Sequence, residues 1–177
     1  ACRGAKAAID FFQSMGLDAT DAPLIEITNT IPDEAGPRVA GCFIEKRKRI
    51  FMLPYRQFLK QGTWFSVPID REMYRGLAAH ETAHAVAACH FKIARPTIQA
   101  KEYIAYVAML STMNPTVRAR ILKANPGEGF ASEERITPLF YMFDPMRFGV
   151  EAYRHFLKPA GGTEFLKAVL AGTALVD

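Results

Sequence analysis

Apolar positions fall in short runs along the first third of the chain and at helical spacing along the rest. Residues 5–15 place Ala8, Ile9, Phe12 and Met15 on one side, with Gly16 as a stop signal, and predict a helix. Leu24-Ile25-Glu26-Ile27-Thr28, residues 39–44 and residues 50–53 are strand-like. The basic run Lys46-Arg47-Lys48-Arg49 between the last two predicts a solvated hairpin turn. Trp64-Phe65-Ser66-Val67 is a further strand candidate. From Asp70, an expected N-cap, a long helix runs through Met73, Leu77, His80, His84, Ala87 and Ala88, and Pro96 ends it near Arg95. Further helices are expected over 98–113, from Asn114-Pro115 to 123, from Asp144-Pro145 to 157, and from a Thr163 cap to Gly172.

Strands first and helices afterwards predict an α+β fold: a small N-terminal mixed sheet, over about 20–68, packed on a mostly helical part over about 70–172. The 177 residues suggest one domain, long enough to bury a core without disulfide or metal staples. Half the residues are hydrophobic and 23% are charged, as in an ordinary globular chain. No apolar stretch reaches the length of a membrane span. The net charge of +4 permits acidic partners without demanding them, and the basic run lacks the interleaved aromatics of a nucleic-acid reader. Nucleic acid is therefore not an expected partner.

Cys2, Cys42 and Cys89 are an odd set, so at most one pair closes within the chain. Cys2 and Cys42 are the candidate pair, and Cys89, inside the long helix, is expected as a small buried hydrophobe. The chain begins with Ala1 rather than Met. Removal of a secretory leader would account for that start, so the expectation is an exported, periplasmic or secreted protein in which a disulfide can persist.

The chemistry-bearing motif is His80-Glu81-Thr82-Ala83-His84, an H-E-x-x-H on a helix. Residues four apart share a helix face, so both imidazoles can converge on one zinc ion. Glu81 is about 100° further round and reaches the water that zinc activates, as a general base. With four His and eleven Glu, chance places the motif in roughly one such sequence in two hundred. Context therefore carries weight. The motif lies inside a strongly predicted helix, among Ala78, Ala79, Ala83, Ala85, Ala87 and Ala88, which suit close packing at the centre of a fold.

At this point the chain resembles the zincin metallopeptidases, over roughly residues 70–106. It is most similar to the gluzincin group and, in scale, to small bacterial peptidases with short H-E-x-x-H domains. The resemblance implies a third zinc ligand, a glutamate on the following helix. Glu102 fills that place, with seventeen residues between it and His84. Glu151, and after it Glu133, Glu134 and Asp144, are the alternatives. The longer metzincin form is not matched. His90 stands six residues after His84, but Val86-Ala87-Ala88 continue the helix where that form needs a glycine turn, so His90 is expected to be structural or at the surface.

Zincin chemistry also uses a tyrosine or histidine on the developing oxyanion. Tyr106, one turn after Glu102, is the first candidate, with a supporting contact to the metal site as its other reading; Tyr141, Tyr153 and His155 are further candidates. Phe140-Tyr141-Met142-Phe143 is expected as core or cleft lining. The cleft is expected between the motif helix and an edge strand, either 50–53 or 64–67, holding a peptide or protein substrate in extended form. The expected function is a zinc-dependent peptide hydrolase with Glu81 as base. The alternatives are a zincin-like zinc-binding interaction protein without turnover, and a structural zinc site closed by a fourth ligand. Cys89 would point away from such a fourth position.

Overall fold

In the computed structural model, residues 1–19, 23–35 and 39–176 are described. Helix α1 (Cys2–Ser14) precedes strands β1 (Leu24–Ile27), β2 (Gly41–Ile44) and β3 (Arg49–Met52). Helix α2 (Tyr55–Leu59) and a small hairpin, β4 (Thr63–Trp64) with β5 (Val67–Pro68), follow. The remainder is helical: α3 (Arg71–His90), α4 (Ile98–Thr112), α5 (Pro115–Ala124), α6 (Pro138–Phe143), α7 (Pro145–Phe156) and α8 (Gly162–Ala171). The fold is α+β, as the order of elements predicts. Residues 20–22, at the expected start of the sheet-rich part, lie outside the described residues.

Capping explains most helix starts. The Asp70 side chain accepts from the Met73 N–H at 2.9 Å, and Thr97, Asn114, Thr137 and Asp144 cap α4 to α7 in the same way. Proline at the first position of α5, α6 and α7 costs no hydrogen bond there. Three boundaries differ from expectation, the first being the end of α3, which stops at His90, five residues short of Arg95, where Phe91 turns extended with ψ 128°. Helix α1 begins at Cys2, ahead of residue 5, because Gly4 is a contact point rather than a break: a Cβ there would come within 2.1 Å of the Arg75 carbonyl oxygen on α3. Helix α8 is not capped by Thr163. Its N-cap is Gly161, pressed so closely on the end of α7 that a Cβ would lie 2.1 Å from the His155 carbonyl oxygen.

The three-stranded sheet has the order β1-β3-β2, with β1 parallel and β2 antiparallel to β3. Residues 50–53 therefore sit on the central strand, not at an edge. The basic run is the expected turn: a short 3-10 turn over Glu45–Arg47 closes through Lys48 in the left-handed region, and Arg47 pairs with Glu34. Trp64-Phe65-Ser66-Val67 is not one strand. Phe65 and Ser66 both take positive φ, 52° and 59°, and make the two-residue turn between β4 and β5. Burial of the Phe65 ring holds a conformation that its residue type gave no reason to expect.

Helix α3 is the axis of the molecule, packed by α1 and α4 and crossed by β2 and β3. Twelve of its twenty residues are buried, and six of those are Ala or Gly, which lets neighbouring backbones approach. At Gly76 a Cβ would lie 2.6 Å from Cε of Met113, the residue that ends α4. All three cysteines are free: Cys2 and Cys42 form no bridge, and Cys89 is exposed near the end of α3 instead of buried. Among the described residues no helix is long and apolar enough to cross a membrane.

Candidate metal centre

Helices α3 and α4 run antiparallel, since Gly76 meets Met109 and Met113 while His80 meets Tyr106 and both histidines face Glu102. The turn between them, after His90 and before Ile98, brings Glu102 level with the histidine pair. His80 Nε2 and His84 Nε2 are 3.1 Å apart. Each lies 3.5 Å from a different oxygen of the Glu102 carboxylate.

These spacings fit a zinc ion. Bonds of about 2.0–2.1 Å in tetrahedral geometry put neighbouring ligand atoms about 3.3–3.4 Å apart. The donor set, two imidazole nitrogens and one carboxylate, is one that catalytic zinc uses, with a fourth position left open. Among the described residues, these three are the group of His, Cys, Asp or Glu whose donor atoms converge in this way.

The electrostatics are those of a buried charge cluster. Burial opposes a charge on His80, but the Glu102 hydrogen bond and charge, with Glu81, outweigh it and raise its pKa. Burial drives His84 down to about 4. Burial likewise opposes the Glu102 carboxylate, yet His84, His80 and the Tyr141 hydroxyl directed at it hold it ionised. Burial pushes Glu81 up to about 7, against the pull of His80.

Glu81 is 5% exposed and lies against β2. The pairing register decides which part of β2 it meets. Leu53 N–H donates to the Ala40 carbonyl, so Ala40, Cys42 and Ile44 face β3, while the main-chain groups of Gly41 and Phe43 point to the free edge. The Phe43 N–H is directed at the Glu81 carboxylate. The edge beside the motif helix is thus β2, in place of the two strands expected.

A cleft of about 1070 Å³ opens over these groups. Its walls include Gly41 and Phe43 of β2, the His80–Glu81–His84 face of α3, Glu102, and Tyr141 and Met146. The Tyr106 ring is buried beneath His80, centroids 4.5 Å apart, and Gly149 makes room for it, since a Cβ there would come within 2.5 Å of the ring. His80 Nδ1 is buried with no hydrogen-bond partner among the described residues, so on that side of the imidazole only ring packing holds it.

The other candidates are elsewhere. Glu151 accepts from the Gly129 N–H at 2.7 Å beside Arg154, and Glu133 accepts from the Leu175 N–H. Asp144 caps α7, and Glu134 is exposed in a 3-10 turn. Tyr153 lies under Arg118, His155 pairs with the Tyr103 hydroxyl, and His90 bonds the Val86 carbonyl. In the aromatic stretch, Phe140 packs on Phe130 and Phe148, Tyr141 faces the cleft, and Met142 and Phe143 are exposed. Gly41 and Phe43 were absent from the expected site. A glycine inside a strand pattern is a signal of close backbone approach, and Gly41 carried it.

A model described as "Family of unknown function (DUF6639)" matches residues 1–177. No curated protein matches the chain, and neither does any solved structure.

Proposed function

The chain belongs to that family of unknown function, and from the site itself we propose that it is a zinc-dependent hydrolase of peptide bonds with a zincin-like arrangement. The observation that carries the proposal is the convergence of His80 Nε2 and His84 Nε2, 3.1 Å apart, on the Glu102 carboxylate, which sets one oxygen 3.5 Å from each nitrogen, in a cleft with a buried carboxylate beside them. His80, His84 and Glu102 would hold one zinc ion. When bound, zinc acts as a Lewis acid and makes water a competent nucleophile near neutral pH.

Glu81 supplies the proton transfers. Burial raises its carboxyl to about 7 against the pull of His80, which places it near neutrality, where one group can both take up and give back a proton. It takes a proton as the water oxygen bonds the carbonyl carbon, and hands it to the departing nitrogen as the C–N bond breaks. The edge of β2 favours a peptide over a small molecule. The Gly41 main chain and the Phe43 carbonyl point to that edge, where an extended chain could pair with them. The cleft volume is also at the upper end for small-molecule sites.

Replacing Glu81 by Gln tests this reading. Zinc content should be retained and peptide hydrolysis should fall by at least about a thousandfold, since the group removed handles both proton transfers. Hydrolysis surviving in Glu81→Gln would exclude the proposed base.

A further inference from the structure

The arm of the cleft beyond His84 carries charge that the hydrolytic chemistry does not use. Ala87 and Ala88 follow His84 along the same side of α3 and leave a trough, which Phe91 and Ile98 continue. Two cations line it. Lys101 lies next to Glu102 on α4 and lines the same cleft as His84. Arg95 stands in the segment just ahead of α4.

Among the described residues, neither Lys101 nor Arg95 has an ion pair or a side-chain hydrogen bond. The first turn of α4 contains no acidic residue, although that end of a helix is itself positive and ordinarily attracts carboxylates. The acidic residues lining the cleft outside the triad and its base are Glu34 and Glu45, from the segments flanking β2, and Glu34 is taken by Arg47. Two cations without an ion pair among the described residues, beside an apolar trough, add little to folding. They are what a binding site for an anionic group requires.

We propose that this arm is a carboxylate subsite, in which Lys101 and Arg95 bind an acidic side chain or the terminal carboxylate of the peptide lying across the triad. The subsite rests on the peptide reading above, but its test does not need turnover. Glu81→Gln protein loaded with zinc is titrated, by fluorescence anisotropy, with N-terminally labelled peptides of one apolar sequence. One ends in a free carboxylate, one in an amide, and one in an amide with an internal Asp.

At least one anionic peptide should bind about tenfold tighter than the neutral amide, and added salt should erode the difference. The double substitution Lys101→Gln/Arg95→Gln should abolish that preference while zinc content stays the same. Tighter binding of the free acid identifies a terminal carboxylate as the ligand; tighter binding of the Asp peptide identifies a side chain. Equal affinity for all three, binding by none, or a preference that survives the double substitution overturns the subsite. Hydrolysis by the native protein is read separately. Cleavage without carboxylate preference removes the subsite and keeps the peptidase; carboxylate preference without cleavage keeps the subsite and removes turnover.

Discussion

Gly41 leaves the space that Glu81 occupies: a Cβ at Gly41 would lie 3.1 Å from Glu81 Cγ and 3.3 Å from a carboxylate oxygen. The glycine belongs to β2 and the glutamate to α3, so the proposed base is positioned by contact between sheet and helix. Gly41→Val should therefore displace the base and leave the metal ligands in place. The expected result is a loss of up to about a hundredfold in kcat/KM, with zinc content unchanged. Parallel measurement of metal and peptide hydrolysis checks it. A joint loss of both would mean that the substitution disturbs the whole centre.

Tyr106 supports His80 through its ring. Tyr106→Phe keeps that ring and should hold zinc within a few-fold of the native affinity. Tyr106→Ala opens a cavity under the imidazole and should cost about 3–5 kcal/mol of stability. Its zinc affinity should fall by about 10–100-fold. Chemical denaturation and competition with a zinc chelator measure the two effects. If Tyr106→Phe keeps zinc but loses hydrolysis, the hydroxyl itself takes part in the reaction.

His155 makes stability depend on pH. It is 1% exposed, with its Nδ1 2.8 Å from the Tyr103 hydroxyl. Burial, then the charge of Lys158, lowers its pKa below the ordinary 6.5, so the folded protein holds it neutral. The unfolded chain takes up a proton first as pH falls. The contribution is complete above about pH 6.5 and is lost as pH drops through the lowered folded-state value. Metal-free protein should melt at a lower temperature at pH 5 than at pH 7.5, and His155→Gln should show a smaller drop. An equal drop in both proteins would place the pH sensitivity elsewhere.

The helical half was legible because its signals are local. Asp70, Asn114-Pro115 and Asp144-Pro145 announce helix starts by their own capping chemistry, and the i, i+4 spacing of His80 and His84 fixes their common face whatever surrounds them. Glu102 needed more, since only the chain reversal between α3 and α4 brings it level with the pair. The sheet was harder to read. That β3 lies between β1 and β2 depends on a parallel pairing across residues 28–48, which no local pattern specifies. The edge facing the site therefore emerged only with the fold. Phe65 and Ser66 read as strand because their residue types carry no mark of positive φ. Cys89 read as buried because its neighbours are apolar, yet it falls on the outer side of α3.

His80, His84 and Glu102 are the proposed zinc ligands. The most direct test is the metal content of protein purified without added metal, measured by elemental mass spectrometry beside the Glu102→Ala variant. The geometry predicts about one zinc per chain in the native protein and a sharp reduction in the variant. No bound metal, together with no uptake on zinc titration, would rule out a zinc site at these three residues.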